Sequence, residues 1–350
     1  MKNPRISRRR FLGTAAAGAL AGAALPRVVR AQGKKELVFV GFGGSYQEGQ
    51  TKALFEPFEK ETGIKVVQTS GVDIAKLRAQ VQSKNVEWDL ISIPDRLRYT
   101  AVKDDLVQRL NYSVIDAKDI MKPLVTEHAV GCVTIPMLLT YSTKAYAQGK
   151  APMSWPDFWD AKKFPGPRGY YNAPTYSLEF ALIADGVPKD KLYPLDVPRA
   201  LKSLDRVKPD VKVWWSQFPQ PGVLLKSGEI TATPWTRSIT FMLDGEPIGV
   251  SYEGAALTYE AWVVPKGAPN AENAMKFINW ALQPKPQAEL TKYIAFGPTN
   301  SKAMAFVDPK LRPLLSSDPD NIKKGFLLSG DWWGPNLDKV NEQWNEWRLK

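Results

Sequence analysis

A chain of 350 residues that holds one histidine, His128, and one cysteine, Cys132, has few routes to metal or nucleophile chemistry. A Cys/His zinc site, a two-histidine metalloprotease helix and an intrachain disulfide each lack partners. Neither a Gly-x-Ser-x-Gly elbow nor a Gly-x-x-x-x-Gly-Lys-Ser/Thr phosphate loop occurs. GFGGS (Gly41 to Ser45) lacks the third glycine of a dinucleotide fingerprint and reads as a tight strand-to-helix turn at a cleft. Carboxylates remain. Glu260 stands inside GAALTYEAWVVP (Gly254 to Pro265), whose alternation and aromatic and β-branched content fit a buried strand. A solvent-facing position would explain it without chemistry. Yet the two-residue period puts Thr258, Trp262 and Val264 on its face, with an indole beside it. A buried carboxylate needs a cation or donors, and that partner can come from outside the chain. A carboxylate-only enzyme, such as a glycosidase or lyase, is the contrasting use of the same residue type.

The elements that must position Glu260 alternate in type. ELVFVGF (Glu36 to Phe42) is a central strand, followed by a helix over about Gln47 to Thr62 with Ser45 as its N-cap. IKVVQT is a second strand, DIAKLRAQVQSK a helix with Ile74, Leu77 and Val81 on one face, and WDLISI a third strand. This order is that of a parallel sheet covered by helices. It restarts after a strand near Val133 to Tyr141: a helix capped at Ser154, helices near Leu178 to Ala184 and Val197 to Val207, and strands VKVWW and EITATPW. Asn270 caps a helix bearing Met275, Ile278 and Leu282 that Pro284 ends. A C-terminal helix carries Leu337, Val340, Trp344 and Trp347 as a docking face.

The charge excess is misleading. Seven of the 47 Lys and Arg, and none of the 36 Asp and Glu, fall in the first 31 residues, which leaves 40 basic against 36 acidic side chains. No basic run remains to release counterions from phosphates, so the composition gives no support to nucleic-acid binding. Those residues include SRRRFLG (Ser7 to Gly13), followed by an apolar run to Leu25, with VRA (Val29 to Ala31) before Gln32. It resembles a twin-arginine export signal, and its run is shorter than the roughly 20 residues that span a bilayer.

Several stretches then resemble one family: FEPFEKETGIKV (Phe55 to Val66), WDLISIP (Trp88 to Pro94), SWPDFWD (Ser154 to Asp160), PKGAPNAENAMKFINWAL (Pro265 to Leu282) and FGPTNSKA (Phe296 to Ala303). The chain resembles the periplasmic substrate-binding proteins of ATP-driven (ABC) importers, in the group of the spermidine/putrescine-binding proteins. The resemblance implies an α/β, bilobal periplasmic-binding-protein fold of type II, its two α/β lobes joined by a hinge of crossing strands. Residues 1–31 would be the signal, 32–139 with 261–305 lobe 1, and 140–260 with 306–350 lobe 2. It implies a periplasmic, monomeric receptor, without cofactor or metal, that hands its solute to membrane permease subunits.

Carried over by position, the resemblance assigns Tyr46, Trp235, Phe296 and Trp332 or Trp333 to an aromatic box, joined by Tyr259, with Glu260 pairing an amine. An ammonium over a ring gains about 0.5–2 kcal/mol when desolvated. Where polyamine receptors carry further acids, YYNAPTYSLE offers Asn172 and Tyr176 instead. Arg237 and Asp95 are weaker candidates for the solute's other end; Arg96 and Arg98 also follow the third strand, and an arginine facing the cleft would clamp an acid, with surface positions the plainer account of Arg96 and Arg98. The solute expected is a polyamine or an amino-acid-like amine. Thiamine and, through the tyrosine pair Tyr170 and Tyr171, ferric ion remain alternatives within the fold.

Overall fold

The structure, a computed structural model, describes residues 35–350 except Arg237, and no account is given of the side chains of Ser238 and Phe241. The expected export signal therefore lies outside the described residues. Among those described, no helix is long and apolar enough to cross a membrane.

One sheet runs through the molecule. Its first half is parallel: β1 (Glu36–Gly41) lies between β2 (Lys65–Ser70) and β3 (Leu90–Pro94). The second half is also parallel, with β5 (Arg168–Tyr171) between β6 (Val211–Trp215) and β7 (Ala232–Trp235). Two long antiparallel strands join the halves: β4 (Val130–Ser142), which pairs with β7, and β8 (Ile248–Val263), which pairs with β3. Short β9 (Gly297–Pro298) and β10 (Phe326–Leu327) extend β4 and β8. The strand order is β2-β1-β3-β8-β4-β7-β5-β6.

Each parallel half has a separate core, as expected of strands covered by helices on both faces. One gathers Phe39, Phe55, Phe58, Trp262 and Phe277 around β1, β3 and the helix Ala271–Ala281. The other gathers Trp155, Phe158, Tyr170 and Phe180 with Trp333, Val340, Trp344 and Trp347 of the C-terminal helix. Midway along the crossing strands the β4–β8 register shifts between Met137 and Leu139. The residues that β8 loops out there include Gly254, at φ 70°, where a Cβ would stand 2.8 Å from the Trp155 ring. Trp155 donates its indole N–H to the Gly254 carbonyl at 2.8 Å, so the bulge is clamped by the second core.

Ser45 does not cap the first helix. That helix, α1 (Gly44–Gln50), has Gly43 at its N-cap position, two residues before Ser45, and continues through a π-turn at Thr51–Phe55 into Glu56–Thr62. Gly43 and Gly44 both have positive φ, 74° and 61°, which a side chain resists; the turn is made by backbone freedom instead of a hydroxyl cap. Three further helices bear on the site: α2 (Asp95–Lys103), α3 (Pro174–Ala184) and α4 (Gly330–Leu349). Asn270 stands at the N-cap position of the helix Ala271–Ala281 but makes no side-chain cap; its amide donates to Asp89 instead, and Pro284 does not only follow that helix but begins another, Pro284–Leu290.

Candidate functional site

Parallel strands of an α/β sheet present their carboxyl ends to ligands, because helix N-termini and loops cluster there. Here those ends meet across a cavity of about 680 Å³. Phe42 to Tyr46 follow β1, Pro94 and Arg96 follow β3, Tyr171 ends β5, and Thr236 follows β7. Ile135 on β4 and Thr258 to Glu260 on β8 form the floor, while Leu337 and Asn341 of α4 close one side. Both halves of the sheet therefore contribute walls.

Glu260 is 8% exposed, and its Oε2 accepts a hydrogen bond of 3.0 Å from Ser92 Oγ. Burial raises its carboxyl to about 7, although nearby Ser92 and Tyr46 favour the charged form. Among the described residues no lysine or arginine forms an ion pair with it. Tyr46 lies at its side, packed edge-on against Phe296 with ring centroids 5.4 Å apart. Among the described residues the Tyr46 hydroxyl makes no well-formed hydrogen bond although it lies close to the Glu260 carboxylate, and burial together with the Glu260 charge pushes its pKa well up. Below, Cys132 donates its Sγ–H to the Glu260 carbonyl at 3.3 Å, and burial keeps that thiol protonated. The arrangement is a walled carboxylate, short of one donor or cation, facing an open cavity.

Of the residues singled out from sequence, Tyr46, Tyr176, Tyr259, Glu260 and Phe296 line this cavity together. Asp95 does not face it: its Oδ1 accepts from Tyr259 Oη at 2.6 Å and Arg98 Nε at 2.7 Å, so it orients Tyr259 from behind. Trp235 is fully buried and donates its indole N–H to the Phe218 carbonyl at 2.6 Å. Trp333 is buried with its N–H on Glu179, and Trp332 packs against Tyr193. Asn172 accepts from Arg348 at an exposed position. Arg237 lies outside the described residues. Trp262, expected beside Glu260, packs instead on Phe277 at 5.4 Å in the first core.

The tyrosine pair does not act as a pair. Neighbours on β5, Tyr170 and Tyr171 point to opposite faces: Tyr170 is fully buried with its hydroxyl donating to the Ser177 carbonyl, and Tyr171 lines the cavity. Among the described residues no group of three or more His, Cys, Asp or Glu could hold a metal ion. Reading from sequence missed Phe42 and Phe218, offered Tyr171 only as half of a ferric-ion pair, and favoured the surface for Arg96, which lines the cavity half-buried. The usable signal for Arg96 and Tyr171 was their place at the carboxyl ends of parallel strands.

A family model described as bacterial extracellular solute-binding protein matches residues 53–320. The chain is 30% identical over 343 residues to a γ-aminobutyric acid-binding protein of Pseudomonas aeruginosa, covering 95% of this chain and 96% of that protein. It is 24% identical over 291 residues to the spermidine/putrescine-binding periplasmic protein of Escherichia coli, covering 78% and 81% of the two chains. The crystal structure of an ABC transporter substrate-binding protein from Bradyrhizobium japonicum superposes with a TM-score of 0.85 at 36% identity, over 89% of this chain and 99% of that one.

Proposed function

The chain belongs to the bacterial extracellular solute-binding proteins, and from that premise we propose that it is the periplasmic receptor of an ABC importer for a small amine-bearing solute. γ-Aminobutyric acid and the polyamines, named for two of its relatives, share an amine. The observation that carries the reading is Glu260: a buried carboxylate beside Tyr46, whose ring packs on Phe296, without a cationic partner among the described residues, in a cavity walled by both halves of the sheet. An ammonium group supplies the missing charge, and the rings accept its N–H and C–H faces.

In this reading residues 32–139 with 261–305 form lobe 1 and 140–260 with 306–350 form lobe 2, a division supported by the two separate cores. Export by the twin-arginine route is supported by Ser7 to Gly13, and transfer to permease subunits by the family's role. Binding closes the lobes, because only the closed form lets one solute touch both walls.

The test is a thermal-shift panel of putrescine, spermidine, γ-aminobutyrate and thiamine, with a simple sugar as control. A true ligand at 100 times its Kd adds about 2.7 kcal/mol of stability. Glu260→Gln should abolish that shift, whereas Glu342→Gln on α4 should leave it. A shift produced by the sugar and by no amine would overturn the reading.

A further inference from the structure

The cavity holds a second formal charge that an amine alone leaves unused. Pro94 is the register partner of Glu260, so the stem of Arg96 starts two residues from that acid. A guanidinium so placed could neutralise it, yet no ion pair joins them. The charge of Arg96 acts instead on the phenols of Tyr171 and Tyr176, whose ring centroids stand 6.2 Å apart. The described residues give Arg96 no carboxylate partner. Tyr176 is held there at φ 71°, a left-handed backbone that a bulky residue resists, so the chain accepts local strain to place this ring.

The cavity thus has two poles of opposite sign that do not pair with each other. A diamine would satisfy Glu260 and set its second ammonium against Arg96. A molecule with an amine and an acid meets both, and the planar guanidinium fork suits a carboxylate, with two phenolic hydroxyls able to donate beside it. We infer that the solute is an amino-acid-like zwitterion whose acid end is clamped by Arg96 with Tyr171 and Tyr176 while its amine meets Glu260. This inference rests on the amine reading above and names the class of solute within it.

Two matched pairs test it: γ-aminobutyrate against putrescine, and 5-aminopentanoate against cadaverine, titrated by calorimetry into the wild-type protein, Arg96→Gln and Glu260→Gln. Each pair changes only the terminal group. The expected result is that wild type binds at least one amino acid about ten-fold or more tighter than its matched diamine. Arg96→Gln should weaken that amino acid by about 10- to 100-fold and leave or strengthen the diamine. A wild-type preference for the diamines, or an amino-acid affinity unmoved in Arg96→Gln, overturns the acid clamp while a Glu260-dependent diamine leaves the amine reading standing. Binding that survives Glu260→Gln, or none by any of the four, overturns both. Should Arg96→Gln melt well below wild type, the wild-type ranking within each pair decides alone.

Discussion

Ser92 gives Glu260 one side-chain hydrogen bond, which is less than a buried charge needs, and the carboxyl rises to about 7. In the unfolded chain the same group titrates near about 4.3, so between those values the native state holds a proton that the unfolded state has lost. The stability Glu260 contributes is therefore complete at low pH and is lost as pH rises through about 7. Glu179, buried with Tyr193 and Trp333 as donors and also raised to about 7, acts in the same direction. Ion-paired Asp185, whose carboxyl lies below the usual range, acts in the opposite one. The difference between variants isolates the site: Glu260→Gln should gain melting temperature relative to wild type as pH is raised from about 5 to about 8 in the absence of ligand. A flat difference across that range would mean that the carboxyl titrates normally. Ligand should reverse the trend, because an ammonium favours the charged carboxylate; calorimetry in buffers of different ionisation heat should then show proton release below about pH 7.

At the scale of elements, the cavity depends on how closely α4 approaches α2. Gly330 and Gly334 lie one turn apart on α4 and face Asp95 and Tyr99, one turn apart on α2. A Cβ at either glycine would overlap its neighbour, Asp95 Oδ2 or the Tyr99 side chain. Asp95 cannot swing aside without releasing Tyr259 and Arg98. Gly330→Ala should therefore cost about 1–3 kcal/mol of stability and weaken ligand binding through Tyr259, read by chemical denaturation and calorimetry. The Arg98–Asp331 pair bridges the same helices at 2.6 Å, but Asp331 is mostly exposed. Asp331→Asn should cost no more than about 1 kcal/mol. If the two variants rank in the reverse order, the surface pair rather than the close packing holds α4 in place.

For the whole molecule, the long strands β4 and β8 are the connection that matters. They run between the parallel halves, and along them the two cores part between Val133 and Met137 on β4 and between Ala256 and Tyr259 on β8. Bending of the two strands at that boundary moves one core relative to the other with little loss of packing inside either. A ligand bound to walls from both halves shifts such an equilibrium only by its extra affinity for the shut form. Small-angle scattering should show the radius of gyration falling when ligand saturates the wild type, and no change for Glu260→Gln at the same concentration. Contraction in both proteins would show that closure does not depend on the carboxylate.

The amino-acid order by itself determined the alternation of strands and helices, because period and punctuation are local: Val197–Val207 and Val211–Trp215 form as a helix and a strand at the expected residues. It also determined the two tryptophans of α4, Trp344 and Trp347, as core anchors, since they share one helical face with Val340. Only the tertiary structure decided which aromatic and charged residues meet. Trp235, Trp332 and Trp333 are as aromatic as Tyr46 and Phe296, yet the first three turn away from the cavity and the last two line it. Arg96 and Arg98, two residues apart after the same strand, part in the same way: one faces the cavity, the other bonds Asp95 behind it. Residue type records what a side chain can bind, while the direction it faces follows from sheet twist, helix rotation and packing between segments far apart in the chain, which no local pattern carries.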